Sequence, residues 1–296
     1  MSNIAAAAQP GILQPLSVLG RSLTFDLTTQ ENPRAALAKL QETFKPDWGI
    51  VGLGLPLLQA LKQNIAGLRP FPSLEGVGCK VPSTQQALWV LLRADDHSTL
   101  FERTEKLKNI LDGSFILDDA LDTFRYRDSR DLSGYIDGTE NPTDDAAINT
   151  ALVADGENLR GSSFVAVQRW VHDLQRFHTF PAEQQDATIG RRRHGNEEIE
   201  DAPESAHVKR TAQESFTPEA FMLRRSMPWD KGITRGFEFI AFGNTNDSFE
   251  RSLRRMVGLD DGIVDALFTF TQPITGGYFW CPPIKDSKLN LNAISI

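Results

Sequence analysis

Only two cysteines, Cys79 and Cys281, occur in 296 residues, and they lie far apart in the chain. That excludes a disulfide framework and makes a reduced compartment the simplest setting. No CxxC pair is present, so the usual cysteine-based zinc spacings are excluded as well. Positive charge is also short: 31 Lys and Arg face 39 Asp and Glu, for a formal net charge of -8. General binders of nucleic acid or anionic membranes need a basic excess, so neither partner is expected. No apolar run reaches the length of a membrane span, and the opening MSNIAAAAQPG lacks the basic start and long apolar core of a secretory signal. A cytoplasmic protein is the resulting expectation. There is no G-x-S-x-G nucleophile elbow, and GLGLP at 52–56 lacks both the third glycine of a dinucleotide fingerprint and the lysine of a P-loop.

With 40% hydrophobic and 24% charged residues, the chain can bury a sizeable core. Its first half reads as six elements. SLTFDL (22–27) alternates apolar and polar as a strand does. ENPRAALAKLQETF predicts a helix with Asn32 as cap, Pro33 at the first helical position, and Leu37, Leu40 and Phe44 on one face. Strands are predicted over 48–54 and 87–93. Ser98 is the expected cap of a second helix carrying Leu100, Phe101, Leu107, Ile110 and Leu111, and a last strand lies within 114–126. The order is β-α-β-β-α-β. The second half repeats it: a strand at 162–171, a helix near 181–189, strands at 220–226 and 236–243, a helix at 248–259 and a strand at 276–282. This order predicts an α+β protein of two ferredoxin-like domains with antiparallel sheets, divided into 1–135 and 136–296.

Five histidines are available, and His172 and His178, six apart, suit neither a helical pair nor a finger. His207, in SAHVKRT, is either a solvated loop histidine or the sole protein ligand of a metal that arrives inside a macrocycle. A ligating imidazole is commonly oriented by a carboxylate, and Asp265 in GIVDALF is a candidate for that task. Arg224 and Arg225 adjoin on a predicted strand, so only one of them can face a given pocket. SGYIDGTENP (133–142) sets Asp137 between Gly134 and Gly138; it reads as a turn, or as a loop that brings a carboxylate close to something flat.

GYIDG at 134–138, SAHVKR around His207, LRRSMPW around Arg224 and ITGGYFWCPP near the end together resemble the dye-decolorising peroxidases, and the intracellular bacterial subgroup in particular. GxxDG is that family's signature, and the order acid, histidine, arginine also fits. The resemblance is clearest over 134–283 and extends to AQPGIL near the start. It implies two ferredoxin-like domains and haem b, an iron protoporphyrin IX held non-covalently, in keeping with the missing CxxCH. It implies His207 as proximal ligand, Asp137 as distal acid and base, and Arg224 as distal cation. Arg191, in IGRRRHG, corresponds to a haem-propionate contact. Ser226 stands where some relatives carry a distal asparagine, and Phe239 is expected against the distal haem face. The implied activity is reduction of hydrogen peroxide to water through a ferryl intermediate, with oxidation of small one-electron donors such as dyes and phenols. The alternative is a haem-handling protein with little turnover. A homo-oligomer, a dimer or larger, is expected, and the tail KDSKLNLNAISI is a candidate signal for an encapsulating shell protein.

Overall fold

In a computed structural model, which describes residues 4–28 and 32–296, ten strands form one sheet. They are β1 (Leu19–Leu27), β2 (Gly49–Gly54), β3 (Leu88–Ala94), β4 (Phe115–Phe124), β5 (Ser163–His172), β6 (Leu223–Arg224), β7 (Met227–Asp230), β8 (Arg235–Gly243), β9 (Thr271–Pro273) and β10 (Gly277–Cys281). The main path runs β4-β1-β3-β2-β10-β5-β8-β6, with β9 on β5 and β7 on β8, and every pairing is antiparallel. Each half thus has the order fourth-first-third-second, as the α+β reading requires. The halves meet edge to edge where Phe279 and Trp280 of β10 pair with Gly54 and Leu53 of β2. Joining two sheets this way removes two open strand edges.

The helices that matter for the site are α1 (Pro33–Thr43), α2 (His97–Leu111), α3 (Ala182–Ile189), α4 (His207–Thr211) and α5 (Asp247–Met256). α1 begins as its sequence dictates: the Asn32 side chain accepts the Arg34 N–H, and Pro33 occupies the first turn, where no donor is needed. Glu31 of the same segment lies outside the described residues. α2 departs from expectation. Asp96, not Ser98, is the cap, accepting from the Thr99 N–H at 2.9 Å and the Thr99 hydroxyl at 2.7 Å, because a carboxylate can serve both donors. Phe101, read as part of the buried face, is 61% exposed. The strand expected over 220–226 shrinks to β6, and a separate strand, β7, begins only at Met227. There Ser226 Oγ replaces a backbone carbonyl as acceptor for the Ile240 N–H, and Pro228 has no N–H to offer.

Period-two alternation divides the second half of the sheet. Gln168, Trp170 and His172 of β5, with Phe237 and Phe239 of β8, point to the helical face. Val165, Val167, Ile240 and Phe242 point to the other, where they pack with Ile12, Trp89, Ala147 and Leu152. On that reverse face Trp89 Nε1 donates to Ser22 Oγ, and Ser22 Oγ donates to Glu238, binding the first half to the second. Burial pushes the Glu238 carboxyl up, while the ion pair with Arg169 and the Ser22 hydrogen bond oppose it. Among the described residues no helix is long and apolar enough to cross a membrane.

The tail is part of the core. Leu289, Leu291 and Ile294 are buried, and Gln41 of α1 donates to the Leu289 carbonyl. Leu291→Ala is therefore expected to destabilise the fold by about 2–5 kcal/mol, the range for deleting a buried leucine side chain, as read by urea unfolding.

Candidate functional site

A cavity of about 960 Å³, counted with its open mouth, lies between the second half of the sheet and α5. Phe237, Phe239, Phe249, Leu253, Met256 and Leu267 make its walls apolar. His207, Asp137 and Arg224, far apart in sequence, all line it.

His207 is the first residue of α4, and its ring is held from behind. Nδ1 lies 2.7 Å from Asp265 Oδ2, and the Asp265 side chain is fully buried. The other oxygen of Asp265 accepts the Leu267 N–H at 2.8 Å, capping the short 3-10 turn at Ala266–Thr269. The Asp265 N–H in turn donates to the Met256 carbonyl at the end of α5. Asp265 therefore accepts the Nδ1 proton, and Nε2 is the nitrogen left to face the cavity. No hydrogen bond engages Nε2 among the described residues.

Asp137 and Arg224 face one another. Arg224 Nε stands 3.7 Å from Asp137 Oδ1, close enough for attraction and too far for a hydrogen bond. Arg224 Nε is buried without a hydrogen-bond partner, and so is Gln168 Nε2, on the same pocket wall. Orphan donors in an apolar pocket are costly unless a bound group meets them. The strand alternation decides which arginine takes part. Arg225 turns away and donates to the Leu13 carbonyl at 2.8 Å; burial, helped by nearby Arg93, lowers its guanidinium to about 10.

One asparagine sets the distance between the two groups. Asn141 accepts the Arg224 N–H at 2.9 Å and donates to the Arg224 carbonyl at 3.1 Å, tying the IDGTEN loop to β6. The loop's glycines serve that packing. Gly134 has φ +94°, and a Cβ there would stand 2.5 Å from the Arg193 guanidinium. Gly138 has φ +80°, and a Cβ there would meet Asn141 Nδ2 at 2.9 Å. Both positions need a left-handed backbone and a neighbour's close approach. Their bare sides meet Arg193 and Asn141, where the sequence reading had them clearing a flat bound group.

The remaining residues singled out in the sequence divide. Phe239 lines the cavity, with its ring 5.9 Å from Phe249. Ser226 is buried outside the lining and is engaged with the Ile240 N–H. Arg191 is also outside it; its guanidinium pairs with Glu140 at 2.7 Å and Glu198 at 3.1 Å. Sequence reading missed Gln168 and a His172–Asp131 pair on the pocket wall, and Asn141 beside it. Of these, Asn141 alone had a local signal, its place just beyond the Asp-Gly turn. Among the described residues no group of three His, Cys, Asp or Glu side chains could hold a bare ion. One free imidazole in an apolar cavity suits instead a metal that brings its other ligands with it.

The comparisons agree with that arrangement. The family model "Dyp-type peroxidase, C-terminal" matches residues 128–286. A dye-decolorizing peroxidase of Mycobacterium tuberculosis is 32% identical over 225 residues, 73% of this chain and 67% of that protein. One from Rhodococcus erythropolis is 30% identical over 280 residues, 92% of this chain and 78% of the relative. Among solved structures, DyPB of Rhodococcus jostii RHA1 superposes with a TM-score of 0.85 at 30% identity, covering 94% of this chain and 96% of its own. A variant of the same protein in complex with heme gives 0.85 at 29% identity, covering 92% and 95%. Asn141→Ala is expected to cost about 1–3 kcal/mol in urea unfolding, because it leaves the Arg224 backbone N–H unpaired, while the Arg224 carbonyl keeps the Arg225 Nη1 donor at 3.0 Å.

Proposed function

The chain belongs to the dye-decolorising peroxidase family and is a haem-dependent peroxidase, and from that premise we propose how its residues divide the work. One observation carries the assignment: a single imidazole, a carboxylate and a guanidinium line the same apolar cavity. His207 Nε2 would hold the haem iron, and Asp265 would keep the Nδ1 proton in place and make the ring a stronger donor. Phe239 and the other apolar side chains of the lining would cover the faces of the macrocycle. Bound there, haem b supplies the iron at which peroxide is reduced and through which one-electron donors are oxidised.

Asp137 takes a proton from one peroxide oxygen and returns it to the other, a general acid–base contribution of roughly 10²–10⁴. For that it must begin as a carboxylate. Arg224 stabilises the negative charge that grows on the departing oxygen, and its unpartnered Nε is a donor free for the purpose. A haem-handling protein has no need of this acid–cation pair, so peroxide turnover is the better reading. Arg191 is the proposed propionate contact if its pairs with Glu140 and Glu198 open. Ser226, engaged with the backbone, is proposed to influence the distal side only through the β6 to β8 pairing.

The division at 135/136 belongs to the same proposal, with Asp137 in the connection between the two sheet halves. So does the cytoplasm as compartment, supported by Cys79 and Cys281 as free buried thiols. A homo-oligomer and an encapsulating shell partner are carried over from the family likeness. Because the tail leucines are buried, a shell protein would have to meet another surface.

His207→Ala is expected to lose haem retention, seen as absence of the Soret band in protein purified with added haem; a full band in that variant refutes the ligand assignment. Asp137→Asn and Arg224→Leu are each expected to retain haem and to slow the peroxide step about 10²–10⁴-fold in stopped-flow absorbance. Unchanged rates in both would remove the roles given to them.

A further inference from the structure

The wall of the pocket nearest the Asp137 loop holds a second acid–imidazole pair. His172, at the end of β5, places Nε2 2.8 Å from Asp131 Oδ2. Its Nδ1 lies 2.6 Å from Thr271 Oγ1 on β9. The Thr271 hydroxyl donates to the Val171 carbonyl at 3.0 Å, so toward His172 the same oxygen serves as acceptor. With Nδ1 turned to Thr271, the Nε2–Oδ2 contact is the one that joins the ring to Asp131. Burial alone would raise the Asp131 carboxyl; the His172 ring and the Ser133 hydrogen bonds outweigh it and hold the group below the usual carboxylate range. The Phe270 ring closes over the imidazole at 5.8 Å.

Asp131 is also the internal staple of the loop that carries Asp137. Its Oδ1 accepts the Ser133 N–H at 2.7 Å. Its backbone N–H donates to Tyr135, its carbonyl accepts from Gly134, and the Asp137 N–H closes the loop on the Ser129 carbonyl. Besides the Arg224 ion pair, two other side-chain hydrogen bonds leave this loop among the described residues: Tyr135 to Asp186, and Arg130 to the Arg193 carbonyl. Both end on α3 or just beyond it. The His172 contact ends on the sheet, on the strand that also presents Trp170 and Gln168 to the pocket. Asp137 is thus anchored on both sides, through Asn141 to β6 and through Asp131 to β5.

We infer that His172 is a positioning residue for the peroxide step: by holding Asp131 it fixes the 129–137 loop on the sheet, and with it the place of Asp137 opposite Arg224. This rests on the peroxidase reading for its kinetic consequence, but not for the structural one. A carboxylate placed over a reacting centre loses effect steeply with displacement, about 10²-fold for roughly 1 Å.

The test compares His172→Leu, His172→Gln and Asp131→Asn with the parent, each as purified and after haem loading. In His172→Leu, amide hydrogen exchange over 129–138 is expected to quicken roughly tenfold or more, the effect of losing a charge-assisted hydrogen bond, with exchange over β1 to β3 unchanged. The Soret band is expected to persist. The peroxide rate constant is expected to fall about 10²-fold, while KM for the electron donor holds. Asp131→Asn still accepts from the Ser133 N–H and can donate its amide to Nε2, so it is expected to keep most of the loop's protection and most of the rate. His172→Gln, which keeps one hydrogen bond to Asp131, falls between, and it carries the test if His172→Leu fails to fold. Unchanged exchange over 129–138 in both His172 variants overturns the inference. So does a rate in Asp131→Asn as low as in His172→Leu with the loop still protected, because that would make the pair a proton carrier. Failure of the peroxidase reading would show separately, as absent peroxide reactivity in the parent.

Discussion

A buried carboxylate behind a single imidazole is the constraint on which the site depends. Asp265 has no exposed side-chain surface, and it holds His207 while its second oxygen caps a turn and its N–H reaches the end of α5. Remove that support and the ring would be free to rotate about its own bonds, with neither nitrogen committed to the cavity. With it, one nitrogen is assigned to the protein and the other to whatever metal the cavity receives. The elements around His207, α4 and α5 and the turn between α5 and β9, are joined through this one residue.

The opposite wall is built on a different principle. A β-strand presents alternate residues to opposite faces, so β5 and β8 give the pocket Gln168, Trp170, Phe237 and Phe239 and give the reverse face valines, an isoleucine and the Glu238–Arg169 pair. The same alternation sends Arg224 to the cavity and Arg225 to the N-terminal segment. The acid facing Arg224 comes from a loop, and loops are held only by what they bond to. Here Asn141 and Asp131 supply the bonds, each to a strand of the same sheet. The imidazole and the acid–guanidinium pair are therefore both fixed to rigid elements, which is what a pocket needs if donors are to be placed before any substrate arrives.

Much of this could be read from the chain. Period-two runs and a 3.6-residue stripe located all six elements of each half, within a few residues, and the capping chemistry of Asn32 and Pro33 was local enough to be right. Errors arose where a nearby residue could do the same task better, as Asp96 does in place of Ser98, or where a side chain interrupted a ladder, as Ser226 does between β6 and β7. Asp137, Arg224 and His207 were legible because their short motifs carry them, and Phe239 came only with the family resemblance. Arg191 and Ser226 were legible as residues but not as contacts, since their partners, Glu140, Glu198 and the Ile240 amide, are brought to them by the fold.

By itself, the sequence determined the α+β order of elements and the single histidine, acid and arginine worth watching, because each of these is written in spacing and residue type. The tertiary structure alone decided that the two sheets share an edge, that Asp265 stands behind His207, and that His172 holds Asp131 across 41 positions of chain. Such pairings depend on which strands become neighbours, and no local pattern records the partner a side chain will meet once distant segments have folded against each other.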